Sequence, residues 1–151
     1  MILYRIVKCN YADLSGTGAR LYGGRWNSEG RSMVYLTSSR SLGVLEALAH
    51  LSPTNLPDDY CIMTIEAPDN FTEINIEELP ENWQGFPEPN SLKKIGNDFL
   101  SANKFLFLKV PSAIMPDEFN YLMNPLHPKA SAVKIQRIKP FHFDPRLVRQ
   151  T

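Results

Sequence analysis

Gly16-Thr17-Gly18-Ala19-Arg20-Leu21-Tyr22-Gly23-Gly24-Arg25-Trp26-Asn27-Ser28 runs almost directly into Ser32-Met33-Val34-Tyr35-Leu36-Thr37-Ser38, and from there into the segment Leu42 to Leu51. The glycines of the first stretch permit backbone conformations and close approaches that a Cβ resists, so it reads as a loop. The second has the β-branched and aromatic content of a short strand. In the third, Leu42, Leu45 and Leu48 recur at helical spacing. Ser38, Ser39 or Ser41 can cap that helix, and Pro53 and Pro57 stop it. Loop, strand and helix in direct succession predict a domain of mixed structure.

Outward from this run, Leu3 to Lys8 is a first strand and Tyr60 to Glu66 another, with Cys61-Ile62-Met63-Thr64-Ile65 at its centre. Residues 67–90 hold four of the twelve prolines and read as a long surface excursion with one short helical piece near Ile76 to Leu79. Leu92 to Ala102 is a predicted helix, Phe105 to Val110 a buried strand, and Ala132 to Phe143 a last strand or hairpin. There is no internal repeat. Strands mixed with a few helices, without regular βαβ alternation, predict one α+β (mixed α/β) domain over residues 1–151, with central mixed sheets and flanking helices.

Sixteen acidic residues balance sixteen basic ones, so nothing in the overall charge points to direct nucleic-acid binding. The locally basic stretch Lys129 to Arg149 alternates its charges with Ile135, Ile138, Phe141 and Phe143, as a solvated strand face does. No apolar run approaches the roughly 20 residues that span a bilayer. The segment Met1 to Lys8 lacks the layout of a secretory signal. Two cysteines, Cys9 and Cys61, make no disulfide framework and read as buried thiols of a reducing compartment. A cytoplasmic protein is the expectation.

Several residues then stand out. Leu21 occupies the place of a third Rossmann glycine, and Gly24-Arg25-Trp26 stand where a P-loop needs Lys and Ser/Thr, so neither signature is met. A glycine loop ending in Arg25 can still hold a pyrophosphate, since a guanidinium offers paired donors to phosphate oxygens. A turn with a surface arginine is the other reading. Trp26 either packs beneath the loop, displaying Arg25, or is ordinary core. Along the strand, Tyr35 shares a side with Met33 and Thr37, opposite Val34 and Leu36. It is either a platform for a flat ring or simply a half-buried tyrosine. Glu46 falls about 60° from Ala49 at the edge of the apolar helix face. A carboxylate so placed needs a partner or a chemical task; the other reading is a rim glutamate that swings to solvent or pairs with His50 or an arginine. Ser112 can present a hydroxyl from a strand end, but no Gly-x-Ser-x-Gly elbow surrounds it. His50, His127, His142 and the cysteines lack metal-site spacing, so no metal is expected.

In this order, these pieces resemble the RES domain family, named for an Arg, a Glu and a Ser. They are Tyr4-Arg5, the run Gly18 to Gly30, Val34 to Ser38, Leu45 to Leu51, Val110 to Ile114, Asn120 to Pro128 and Phe141 to Arg146. The resemblance spans nearly the whole chain and is weak between about residues 67 and 90. It implies an ADP-ribosyltransferase-like fold in a bacterial toxin of a toxin–antitoxin pair. It also implies an activity that consumes NAD⁺, by hydrolysis, by phosphorolysis with inorganic phosphate, or by transfer of ADP-ribose to a protein. The implied partners are NAD⁺ as substrate rather than resident cofactor, an Xre-like helix-turn-helix antitoxin, and a second copy in a homodimer.

The family's arginine falls on Arg25, its tyrosine on Tyr35, its glutamate on Glu46 and its serine on Ser112. On that correspondence Arg25 is expected at the pyrophosphate with Arg5 or Arg20 assisting, and Tyr35 at the nicotinamide or its ribose. Glu46 is expected at the ribose hydroxyls and the developing positive charge, and Ser112 at nicotinamide or a phosphate oxygen. Asn124 is counted among the NAD-contacting residues. Without the resemblance, a non-enzymatic module binding a nucleotide or a partner remains open.

Overall fold

β1 (Ile2–Lys8) and β3 (Tyr60–Glu66) form a long antiparallel ladder in the chain's sheet, from Ile2 opposite Glu66 to Lys8 opposite Tyr60. The structure is a computed structural model describing residues 1–51 and 56–148; Pro53 and Arg149 lie outside the described residues. The remaining strands are β2 (Val34–Thr37), β4 (Phe71–Glu73), β5 (Phe107–Pro111), β6 (Phe119–Met123) and β7 (Lys134–Phe141). They order as β4-β5-β6-β2-β1-β3-β7, every pairing antiparallel except β4 with β5. The helices are α1 (Thr17–Tyr22), α2 (Arg40–Leu48) and α3 (Asn90–Ala102). The expected mixed α/β domain is therefore built on one seven-stranded sheet.

Register decides which residues meet. Tyr4 lies opposite Thr37, and Thr37 opposite Asn120, so Met33, Tyr35, Thr37, Asn120 and Leu122 share one face with Tyr4. Leu3, Val34, Leu36, Met63, Ile65, Phe107 and Met123 make the core of the other face. On the first of these faces α3 and the loop after α1 cover Trp26, Met33, Trp83, Leu92, Leu108, Val110 and Leu122. Helix α2 crosses the same face. Ser39 caps it by accepting from the Leu42 amide at 3.1 Å, and buried Gly43 lets it settle against Ile6 and Thr37. No helix among the described residues is long and apolar enough to cross a membrane.

Four readings change. The glycine loop is helical over Thr17–Tyr22, ending where Gly23 takes a φ of 71°. The excursion 67–90 contains strand β4, whose three residues are too few for a period to show. Strand β6 overlaps the start of the block read only as a motif; its Phe119, Tyr121 and Met123 alternate with Asn120 and Leu122, and both flanks are paired. The cysteines are not thiols: Cys9 and Cys61 are joined in a disulfide, with Cα atoms 5.0 Å apart. Cys9 is exposed in a 3-10 turn after β1, where the β1–β3 ladder ends beside Cys61. The cysteines therefore no longer argue for a reducing compartment.

Candidate active site

Glu46 is the side chain around which the face organises. Strand β5 ends at Pro111, delivering Ser112 beneath α2, while β6 brings Asn120 up beside it. One carboxylate oxygen, Oε1, accepts from Ser112 Oγ at 2.7 Å and from Asn120 Nδ2 at 2.9 Å. Ser112 Oγ in turn accepts from the amides of Ile114 and Met115, both at 3.1 Å. A serine hydroxyl has one donor and two lone pairs, so Ser112 is fully engaged and itself fully buried. Among the described residues Glu46 Oε2 has no hydrogen-bond partner, and Asn120 Oδ1 is a buried acceptor with none. Two donors on one oxygen hold the carboxylate in a single orientation, and the other oxygen takes no part in that hold.

Two residues along β2 from Thr37, the Tyr35 hydroxyl donates to Asn27 Oδ1 at 2.6 Å and accepts from the Trp26 amide at 3.1 Å. Gly24 is required there, because a Cβ at that position would stand 2.5 Å from this hydroxyl. Burial pushes the Tyr35 pKa far above its ordinary value, against the opposing hydrogen bond from the Trp26 amide. Trp26 lies buried under the loop, and Gly96 of α3 touches its carbonyl so closely that a Cβ would collide with it. Lys93 bonds the Gly24 carbonyl at 2.8 Å and Glu88 at 2.7 Å; that lysine contact, before any other cause, lowers the Glu88 pKa. Arg25 is half-buried and spends Nη1 on the carbonyls of Trp83 (3.0 Å) and Gly85 (3.1 Å). Among the described residues its Nε and Nη2 have no partner. Clamped from strand, helix and turn, the loop presents Arg25 rigidly.

A family model, the RES domain, matches residues 2–144. The chain belongs to the RES domain family. It is 43% identical over 149 residues to Toxin Res of Pseudomonas putida, covering 97% of this chain and 99% of that one. It is 37% identical over 142 residues to the Prs ADP-ribosylating toxin of a Sphingobium strain, covering 91% and 88%. Among solved structures it resembles the M. tuberculosis MbcT–MbcA toxin–antitoxin complex, with a TM-score of 0.76 over 97% of this chain and 85% of that one. At 18% identity that likeness concerns the fold.

Within this RES domain, Glu46 and Ser112 touch, and Tyr35 holds the loop that carries Arg25; these two pairs share one sheet face. Ser112 faces Glu46 rather than an open ligand space. Arg20 is exposed on α1. Arg5 alternates with Tyr4 and so falls on the opposite face, donating to the carbonyls of Tyr11 (3.0 Å) and Asp13 (2.7 Å). Burial lowers the Arg5 pKa, with Asp13 opposing. Asn124 sits past the far end of β6, bonding Asn103 at 2.9 Å and capping the Leu126 amide at 3.0 Å. Its block is a structural corner, closed by His127 Nδ1 accepting from the Lys129 amide. Neither Arg5 nor Asn124 hydrogen-bonds Glu46, Tyr35 or Arg25.

Sequence reasoning missed Asn120, Asn27 and Gly96. For Asn120 a signal existed, a polar residue between Phe119 and Tyr121, yet its partner stands 74 positions earlier. Gly96, in the middle of a helix pattern where glycine costs about 1 kcal/mol, pointed to a close approach.

Proposed function

We propose that this RES domain is a toxin of a toxin–antitoxin pair that cleaves the nicotinamide–ribose bond of NAD⁺. The observation that carries the reading is Glu46, oriented through Oε1 by Ser112 and Asn120 with Oε2 left open, on the same sheet face as the clamped Arg25 loop. Breaking this bond builds positive charge on the ribose, as in glycoside cleavage, while the cationic ring leaves neutral and needs no general acid. A fixed carboxylate beside the ribose stabilises that charge without reorganising, and an anchored pyrophosphate holds the substrate in line. In this reading Glu46 Oε2 meets the ribose, Arg25 Nε and Nη2 meet the pyrophosphate, Ser112 positions Glu46, and Tyr35 positions the Arg25 loop.

Water, phosphate or a protein side chain can complete the reaction. The 37% identity to a Prs ADP-ribosylating toxin favours transfer to a protein as the second reading. A cognate antitoxin of Xre-like helix-turn-helix type, a homodimer and a cytoplasmic site of action belong to the same proposal; the fold neighbour was solved with its antitoxin.

The test is to incubate the purified chain with NAD⁺, with and without phosphate, and follow free nicotinamide. A parallel lysate incubation with labelled NAD⁺ reports transfer to protein. Nicotinamide release that Glu46→Gln abolishes supports the proposal, and its phosphate dependence identifies the nucleophile. Neither release nor labelling by the parent protein returns the chain to a non-catalytic binding role.

A further inference from the structure

The outer edge of the sheet carries a feature the reaction does not use. β7 is the terminal strand, and among the described residues nothing pairs with its outer side. Its ladder with β3 shifts between Thr64 and Ile65, with Gln136 as the extra residue between Ile135, opposite Ile65, and Arg137, opposite Thr64. That shift sorts the side chains. Ile135 and Ile138, three positions apart, fall on one face, 39% and 44% exposed. Arg137 and Lys139 fall on the other, opposite Thr64 and Ile62. There they line a groove of about 280 Å³ with Arg40, the first residue of α2, whose guanidinium is held 4.3 Å above the Tyr4 ring. Among the described residues, none of these three cations forms a salt bridge. The carboxylate of the partner strand β3, Glu66, is taken by Gln136 at 2.8 Å.

We propose that β7 and its basic groove dock an extended segment of a protein partner in which acidic and apolar residues alternate. Laid along the free edge, such a segment adds main-chain bonds, sends its acidic side chains toward Arg137 and Lys139 on β7, and covers Ile135 and Ile138 with its apolar ones. A second copy of this chain is disfavoured, because two β7 edges bring like cations together. A small anion uses the cations but not the free edge or the isoleucines. A nucleic-acid strand would want exposed aromatic platforms beside the cations, and the groove lining has none.

The probe is a labelled, end-blocked octapeptide alternating Glu and Val, followed by anisotropy at low salt with the full chain. Binding should weaken as salt rises, and should drop about tenfold or more in an Arg137→Glu/Lys139→Glu double variant. The same variant should turn over NAD⁺ at the parental rate, which separates this surface from the proposed chemistry. An alternating Lys/Val peptide should not bind. Tighter binding of oligothymidylate than of the acidic peptide overturns the proposal. So does phosphate shifting the Arg137 and Lys139 resonances while the peptide leaves β7 amides unmoved. Absence of binding by every probe also overturns it, and leaves the cations as guards of an edge.

Discussion

In the proposed reaction Glu46 acts through an orientation that Ser112 and Asn120 set. Replacing it with Gln keeps its size and removes the charge, so nicotinamide release should fall by roughly 10²–10³-fold while the melting temperature stays near parental. Ser112→Ala removes one of the two donors on Oε1 and the acceptor of two backbone amides. It should lower kcat more than it changes KM, and cost about 1–3 kcal/mol in a urea titration because buried amides lose their partner. A Ser112→Ala protein with parental kcat would remove the positioning role. Asn120 is the residue whose partner the sequence could not supply. Its Nδ2 serves Glu46 while its Oδ1 stays buried and unpaired, an arrangement that costs folding energy and orients the carboxylate.

At the scale of elements, the Arg25 loop is held because α3 comes close enough to touch it. Gly96→Ala drives a methyl into the Trp26 carbonyl, and backbone on backbone cannot swing aside. The expected cost exceeds the ~1–3 kcal/mol of ordinary overpacking, and the variant should melt well below the parent by calorimetry. Because α3 touches the loop at this point, residual folded protein should also lose the proposed NAD⁺ turnover. The disulfide ties the end of β1 to the start of β3 across 52 positions of chain. Reduction, or Cys9→Ser, should lower stability by about 2–4 kcal/mol without touching the Glu46 face. An unchanged unfolding midpoint after reduction would show that the β1–β3 ladder alone holds this corner.

For the whole molecule, Tyr35 sets an alkaline limit. Burial raises its folded-state pKa above the unfolded one, so its contribution is complete below the ordinary tyrosine value of about 10 and is lost as pH climbs through the folded value. Tyr60, also raised chiefly by burial, adds in the same direction. Unfolding free energy should therefore fall above about pH 10, and Tyr35→Phe should flatten that fall. A variant with the parental slope would place the sensitivity elsewhere.

How much was legible follows from the range of each interaction. The strand at Val34–Thr37, its two-sided pattern, the serine-capped helix after it and the α3 helix are local events, governed by spacing and capping over a few residues. These and the mixed α/β class could be read directly, and family resemblance singled out Arg25, Tyr35, Glu46 and Ser112 as candidates. The order of the strands, the sulfur bond, and the meeting of Glu46 with Ser112 and Asn120 from 66 and 74 positions away could not. Those depend on which strands lie side by side and in which register, and a shift of one residue would turn Asn120 to the other face of the sheet. Local pattern carries no record of that choice; packing of the two cores makes it.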